Sequence, residues 1–160
     1  RECDGKGAVR KTRKIEIKIP EGAVDGTNLR MQGEGEAAHG VPGDLYIVVH
    51  VKPHKIFERQ GSNIYIKFPV PFTTAAVGGE IEVPTLSGKA SLKIPAGTQS
   101  STIFRMKGLG IPDLHSHHKG DEHIEVFISV PEKLTAKQKK LLEEFEKEAD
   151  KKGFIKGMFG

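Results

Sequence analysis

Alternating hydrophobic and polar residues recur along most of the chain. Residues 15–19 carry isoleucine at every second position between charged residues, and residues 45–51 carry Leu, Ile or Val at every second position. The same period of two recurs at residues 92–94 and 124–130. Alternation with this period is typical of strands that bury one face. We therefore predict a strand over each of these four segments.

Two further strands are predicted between these segments, at residues 63–70 and 80–83. A turn at Leu86-Ser87-Gly88 then leads into a strand that begins near Ala90, which predicts a hairpin. Glycine occupies 19 of the 160 positions. This abundance favours many turns and short strands over a helical bundle.

The chain contains an internal repeat. Residues 14–35 align with residues 89–110 at a constant offset of 75 residues. The identical pairs are Lys18 and Lys93, Ile19 and Ile94, Pro20 and Pro95, Gly22 and Gly97, Thr27 and Thr102, Arg30 and Arg105, Met31 and Met106, Gly33 and Gly108, and Gly35 and Gly110. After a loop of variable length, Gly43-Asp44 recurs as Gly120-Asp121. So many matches in one order indicate two copies of one fold unit.

The two copies differ in what precedes them. Predicted strands within residues 61–86 precede the second copy, whereas no equivalent segment precedes the first copy in this chain. Since the chain also begins with Arg1 and not Met, we expect a fragment whose first domain lacks its opening strands. Such a domain would have unpaired strand edges. We predict a mainly β fold with two tandem, related β-sandwich-like domains, the first incomplete, followed by a C-terminal α-helix.

The end of the chain changes from β to helical periodicity. Thr135 and Gln138 fit a capping box, with Leu134 placed as a hydrophobic staple. Gly153 is suited to end the helix. Apolar residues at helical spacing on one face are Leu141, Leu142, Phe145 and Ala149. The apolar tail at residues 154–159 has two interpretations: it folds back on its own domain, or it docks a second subunit.

Composition narrows the class of protein. The net charge is +4 and the basic residues are interspersed with acidic ones, which argues against nucleic acid as the main partner. No run approaches the ~20 apolar residues of a membrane span, so no membrane association is expected. The single cysteine, Cys3, excludes an intrachain disulfide and agrees with a reducing compartment. We predict a cytoplasmic protein.

A histidine-rich segment is the main candidate for metal chemistry. The residues concerned are His115, His117, His118 and His123, with Asp113, Asp121 and Glu122 nearby. Such a group can bind a transition metal, and it can equally be a solvated polar loop. The matching loop of the first copy contains only His39. No nucleophile elbow or helical zinc-protease motif occurs, so no enzyme is predicted.

Six motifs, in this order and spacing, resemble the C-terminal region of DnaJ proteins that carry a zinc module. They are CDGKG at residues 3–7, IPEGAVDG at 19–26, GDLYIVVHVKPH at 43–54, FERQG at 57–61, GGEIEVPTLSG at 78–88 and LTAKQKKLL at 134–142. Each motif alone is weak, but together they are specific and extend over essentially the whole chain. The resemblance implies two β-domains with a zinc module inserted into the first.

The resemblance also implies a division of the chain and a function. Residues 1–13 would be a remnant of the zinc module and a re-entry strand, 14–53 the rest of the first, client-binding β-domain, 54–134 the second β-domain, and 135–160 a dimerisation helix and tail. The family binds unfolded or misfolded polypeptides, prevents their aggregation and delivers them to a DnaK-type ATPase. This chain has no His-Pro-Asp motif, so it should not stimulate that ATPase by the J-domain route.

Zinc is expected only in the intact protein. Cys3, Gly5 and Gly7 match the second half of the family's C-x-x-C-x-G-x-G motif. Because a structural zinc site needs four ligands, one thiol cannot complete it. The resemblance implies that Cys3 is a zinc ligand in the intact protein, and no cofactor is expected in this fragment.

The resemblance further implies where clients and a second subunit bind. An unfolded chain can add to a sheet edge as a strand and place its side chains in an apolar groove. By position, the client-binding residues would be Ile15, Ile17, Ile47 and Val49, of which Ile15 and Ile47 are favoured; the alternative is that these residues fill the core. The dimerisation residues would be Leu141, Leu142, Phe145, Phe154, Ile155, Met158 and Phe159.

Two other functions stay open on the residues alone. The first is a β-sandwich interaction scaffold without chaperone activity, which promiscuous affinity for unfolded chains would exclude. The second is an enzyme that uses the histidine-rich segment and a metal, which substitution of His117 and His118 together would abolish.

Overall fold

The computed structural model describes Thr12, Ser116 and residues 14–38, 41–114 and 118–151. The strands, in chain order, are β1 (Asn28–Met31), β2 (Ala37–Ala38), β3 (Val41–Pro42), β4 (Leu45–Val48), β5 (Glu58–Gln60), β6 (Asn63–Pro71), β7 (Gly79–Thr85), β8 (Gly88–Ile94), β9 (Ile103–Met106) and β10 (Glu122–Ser129). The helices are α1 (Phe72–Val77) and α2 (Ala136–Lys151). This composition confirms the predicted mainly β fold with a C-terminal helix.

These strands form four sheets. The largest has the order β5-β6-β10-β9, and the others are the pairs β1-β4, β2-β3 and β7-β8. The hairpin β7-β8 pairs along its whole length, from Gly79 opposite Ile94 to Thr85 opposite Gly88. The predicted strands at residues 63–70 and 80–83 and the predicted hairpin are therefore confirmed.

The described residues form two compact units. One contains Met106–Glu122 and the described part of Arg1–Tyr65, and the other contains Ile66–Arg105 and the described part of His123–Gly160. In the first unit, Arg59 donates hydrogen bonds to the carbonyls of Gly22 and Ala23. The predicted domain bounds at residues 53 and 54 do not coincide with these units and stay a prediction.

The apolar core of the described residues lies in the second copy of the repeat and in the strands and helix that precede it. Among the described residues, the buried hydrophobic side chains are Ile64, Ile66, Val70, Ala75, Val83, Leu92, Ile94, Ile124 and Val126. All of them follow residue 63. Alternate positions of β6, β8 and β10 contribute most of this set, as expected for strands that bury one face.

The repeat in the sequence is also a repeat of hydrogen bonds. The Gly26 amide donates to the Val49 carbonyl at 2.9 Å, and the Ser101 amide donates to the Val126 carbonyl at 2.7 Å. The amides of Gly33 and Gly108 donate to the Asp44 and Asp121 carboxylates at 3.0 and 2.9 Å. The amides of Gly35 and Gly110 donate to the carbonyls of Gly43 and Gly120, both at 2.8 Å. The two copies therefore share one local backbone fold.

Two of the predicted strands differ from the structure. Residues 15–19 form no strand, whereas the equivalent residues 90–94 belong to β8. The reason is pairing: β8 lies beside β7, while no described segment pairs with residues 15–19. The strand predicted over residues 45–51 ends at Val48, and the Val51 amide instead donates to the Asp25 carboxylate at 2.9 Å.

Ser101 has a backbone conformation that serine rarely adopts, with φ at 66°. The first copy has Gly26 at this position, with φ at 81°. Because the left-handed region crowds a Cβ, we expect Ser101→Gly to raise the free energy of unfolding by roughly 0.5–1 kcal/mol. Urea unfolding would measure this change. The reverse substitution, Gly26→Ser, should destabilise the protein, and equal effects of the same sign would contradict the prediction.

The predicted capping box of the C-terminal helix is confirmed. The Thr135 amide donates to Gln138 Oε1 at 2.9 Å, and the Gln138 amide donates to Thr135 Oγ1 at 3.3 Å. These reciprocal bonds satisfy two backbone donors at the beginning of α2. No helix among the described residues is long and apolar enough to cross a membrane.

Candidate functional site

The β1-β4 strand pair contains one of the four predicted client-binding residues, Ile47, and a second, Val49, directly follows it. Ile47 lies opposite Leu29 in the register of this pair, and it is half-buried. Val49 directly follows β4, is also half-buried, and donates its amide to the Thr27 carbonyl at 2.9 Å. These two side chains therefore combine a packed position with some accessible apolar surface.

The other two predicted residues lie outside any strand. Ile15 is half-buried, and the side chain of Ile17 is 41% exposed. Their placement in one groove with Ile47 and Val49 stays a prediction, because the first copy has no described strand beside residues 15–19.

Sequence reasoning missed the apolar residues on the other face of β4. Tyr46 is 62% exposed and Val48 is 49% exposed. Their partners on β1 are Arg30, which lies opposite Tyr46, and Asn28, which lies opposite Val48. The available signal was that β4 is apolar at every position, which is atypical of a strand with one solvated face.

One edge of β4 differs from its counterpart in the second copy. In the described part of the chain, β4 pairs only with β1, whereas β10 lies between β6 and β9. A strand edge offers backbone donors and acceptors to an extended peptide. Among the described residues, β4 therefore has an unpaired backbone edge next to its apolar side chains.

An ion pair links β1 to the residue that precedes β4. Arg30 Nε and Nη2 contact Asp44 Oδ2 at 2.7 and 2.6 Å. The hydrogen bond from the Gly33 amide, followed by the one from Arg30, lowers the pKa of Asp44 below its usual value. Asp44 therefore remains ionised at neutral pH and links the end of β1 to the beginning of β4.

The predicted dimerisation residues on α2 are exposed in the single chain. The exposed fractions are 55% for Leu141, 38% for Leu142 and 59% for Phe145. Phe145 also contacts Phe72 of α1 edge to face, with ring centroids 6.3 Å apart. Part of the apolar face of α2 therefore packs within its own unit. Four predicted residues lie outside the described residues: Phe154, Ile155, Met158 and Phe159.

Three of the candidate metal ligands fall outside the described residues. Cys3, His115 and His117 are among those that are not described, so ligation by any of them stays a prediction. His118 is exposed, and its carbonyl accepts a hydrogen bond from the Asp113 amide at 3.0 Å. Within the described residues, no group of three or more His, Cys, Asp or Glu side chains is placed to hold a metal ion.

Comparison with known proteins agrees with this architecture. Residues 3–131 match the family model described as the DnaJ C terminal domain. The chain is 50% identical over 147 residues to a protein named Chaperone protein DnaJ from Desulfitobacterium hafniense, covering 91% of this chain and 39% of that protein. It is 54% identical over 146 residues to the protein of the same name from Parageobacillus thermoglucosidasius, covering 90% and 38%.

A third relative has the same name and comes from Geobacillus sp.; it is 55% identical over 142 residues, covering 88% of this chain and 37% of that protein. The chain thus spans about two fifths of the length of the relatives it matches. The family match extends over both copies of the internal repeat and most of the described fold. On these grounds the chain belongs to the DnaJ C-terminal domain family.

Proposed function

We propose that this chain is a co-chaperone module that binds unfolded or misfolded polypeptides, prevents their aggregation and helps deliver them to a DnaK-type ATPase. The observation that carries the proposal is the β1-β4 strand pair, where half-buried and exposed apolar side chains lie on and beside β4, a strand that pairs on one side only among the described residues. Unfolded chains offer the complementary groups, namely free backbone donors and acceptors and apolar side chains. The role is one of binding, in the cytoplasm, with no chemical step.

The family relationship supports this proposal over an interaction scaffold. The curated relatives are named as chaperones. Binding at such an edge is independent of most of the client sequence, because the backbone supplies much of the interaction. Each contact is weak, since the client loses conformational entropy when it is captured.

Dimerisation through α2 and the tail would raise the avidity for a client. Leu141 and Leu142 are exposed apolar residues on a capped helix, which supports such a contact. Two binding surfaces on one client raise the effective concentration of the second contact. We also expect Cys3 to bind zinc in the longer protein, together with ligands that this chain does not supply.

The test is suppression of aggregation of an unrelated, chemically denatured protein, followed by light scattering. We expect the wild-type chain to suppress aggregation and the Ile15→Ser/Ile47→Ser variant to bind clients at least about tenfold more weakly, because each isoleucine contributes ~1.5–3 kcal/mol when it is fully buried. A matched control is Val77→Ser, since Val77 is 80% exposed in the other unit.

Circular dichroism and thermal unfolding would establish that all three proteins are folded. Equal suppression by the wild type and the double variant would assign client binding to another surface. No suppression by the folded wild-type chain, at any ratio of chain to client, would contradict the proposed function.

A further inference from the structure

Glu122 is a carboxyl group in an apolar position. It begins β10 and its side chain is fully buried. Neither carboxyl oxygen has a hydrogen-bond partner among the described residues. The first copy of the repeat has Leu45 at the equivalent place, directly after Asp44. The second copy therefore carries an ionisable group where its duplicate carries a hydrocarbon side chain.

Apolar side chains occupy the positions beside Glu122. The Ile64 amide donates to the Asp121 carbonyl at 3.0 Å, and the Ile64 side chain is 1% exposed on the buried face of β6. In the first copy, Leu45 lies opposite Met31, so the equivalent neighbour of Glu122 is Met106 at the end of β9. Neither neighbour can neutralise a carboxylate.

Arg59 on β5 lies opposite Ile64, on the face of Glu122, but its guanidinium donates to the carbonyls of Gly22, Ala23 and Gly61. The titratable groups on β6, β9 and β10 themselves alternate to the opposite face of the sheet. Lys67, for example, lies 3.8 Å from Glu125 on that face. The groups concerned are Tyr65 and Lys67 on β6, Arg105 on β9, and His123 and Glu125 on β10. Burial is therefore the cause of the shift that raises the pKa of Glu122 to about 7. The carboxyl keeps its proton until the pH is nearly neutral.

Glu122 also adjoins a cluster of backbone hydrogen bonds, which we name the β10 junction: residues 62–64, 110–111 and 120–122. The Ile111 amide donates to the Ser62 carbonyl at 2.8 Å, and the Asp121 amide donates to Asn63 Oδ1 at 2.8 Å. The Gly120 amide donates to the Ile111 carbonyl at 3.0 Å. Movement of Glu122 towards water would strain this cluster, because Asp121 and Gly120 directly precede it.

We propose that protonation of Glu122 controls local opening of the β10 junction. The neutral carboxyl stabilises the closed junction, and loss of its proton favours the open one. The open junction hydrates the carboxylate and breaks the backbone hydrogen bonds that join Ser62, Ile111 and Gly120. Both states are populated to a degree set by pH, since solvation of one buried group distinguishes them.

The direction of the effect follows from proton linkage. The usual pKa of the exposed carboxyl is 4.5, and in the closed junction it is about 7. At a pH between these two values, opening therefore releases a proton. The free energy that favours the closed junction is greatest below the lower value and decreases as the pH rises towards the upper one. Between pH 5.5 and pH 8 the equilibrium constant for opening is expected to rise about 25-fold.

The experiment is amide hydrogen exchange of the full chain at pH 5.5 and pH 8, expressed as protection factors so that the intrinsic pH dependence of exchange is removed. We expect protection of the Ile64 and Gly120 amides to fall about 25-fold in the wild type, and by less than about twofold in Glu122→Gln and Glu122→Leu. Glutamine preserves the shape of the side chain, and leucine is the residue of the first copy. Amides of the β7-β8 hairpin serve as the reference for global unfolding.

Three results would overturn the proposal. These are unchanged protection of the junction in the wild type, an equal loss of protection in a variant without the carboxyl, and an equal loss in the β7-β8 hairpin. The last result would mean that the whole protein opens and that the junction does not open by itself. If one variant fails to fold, the other decides the outcome, since each removes the same proton.

Discussion

Gly120→Ala is expected to lower the free energy of unfolding by about 3 kcal/mol. A Cβ at this position would collide with the Ser62 carbonyl, and it would lie 2.8 Å from Asn63 Oδ1. The backbone cannot yield easily here, because the Ser62 carbonyl accepts the Ile111 amide and Asn63 Oδ1 accepts the Asp121 amide. The substitution therefore separates strands β6 and β10 at their beginning.

The repeat supplies the matched control for this substitution. Gly43 is the equivalent glycine of the first copy, and the nearest atom to a Cβ there is the Glu36 carbonyl oxygen at 3.1 Å. That contact needs only a small adjustment, so Gly43→Ala should cost less than about 1 kcal/mol. Chemical denaturation of both variants and the wild type would measure the difference. Equal stabilities of the two variants would show that the contact with Ser62 is not what requires glycine at position 120.

Arg59→Ala is expected to lower the free energy of unfolding by about 2–3 kcal/mol. The guanidinium group donates to the carbonyls of Ala23, Gly22 and Gly61 at 2.7, 2.8 and 2.8 Å. Hydrogen bonds from a charged donor are stronger than neutral ones, and two of these bonds are partly buried. Their loss leaves carbonyl groups of the turn that follows Pro20 without their donor.

The effect depends on the planar fork of N–H groups that arginine presents. Arg59→Lys should therefore retain only part of the unfolding free energy that Arg59→Ala loses. A lysine ammonium is a compact group that cannot reproduce three divergent N–H directions. Lys67→Ala is a suitable control, because its side chain is 77% exposed and its ion pair with Glu125 spans 3.8 Å. Exposed pairs of this kind contribute little, about 0–1 kcal/mol. If Arg59→Ala unfolds at the same denaturant concentration as Lys67→Ala, the three bonds do not stabilise the fold.

The candidate site was predictable only in part. The positions of Ile47 and Val49 on or beside a strand followed from their alternation with other residues, and the structure places both in half-buried positions. The family motifs supplied the expectation that this region binds clients. The exposed face with Tyr46 and Val48 was missed, because alternation identifies two faces of a strand without stating which of them is covered.

The sequence by itself determined the features that depend on neighbouring residues. The internal repeat, the mainly β fold, the strands near residues 63–70 and 80–83 and the capping box of α2 were all predicted, since period, turn residues and helix caps act over a few positions. The conformations that Gly26 and Ser101 share also follow from the repeat, although the strain at Ser101 became visible only in the structure.

Only the tertiary structure decided which segments pair as strands and which side chains are buried. Residues 15–19 and 90–94 have similar alternation, yet only the latter form a strand, because β7 lies beside them. Glu122 is a polar residue in the sequence, yet its side chain is fully buried, because the preceding residue, Asp121, forms hydrogen bonds with Asn63 and Ile64 at the beginning of β6. Pairing and burial depend on residues that are distant in the chain, so they cannot be derived from a local pattern.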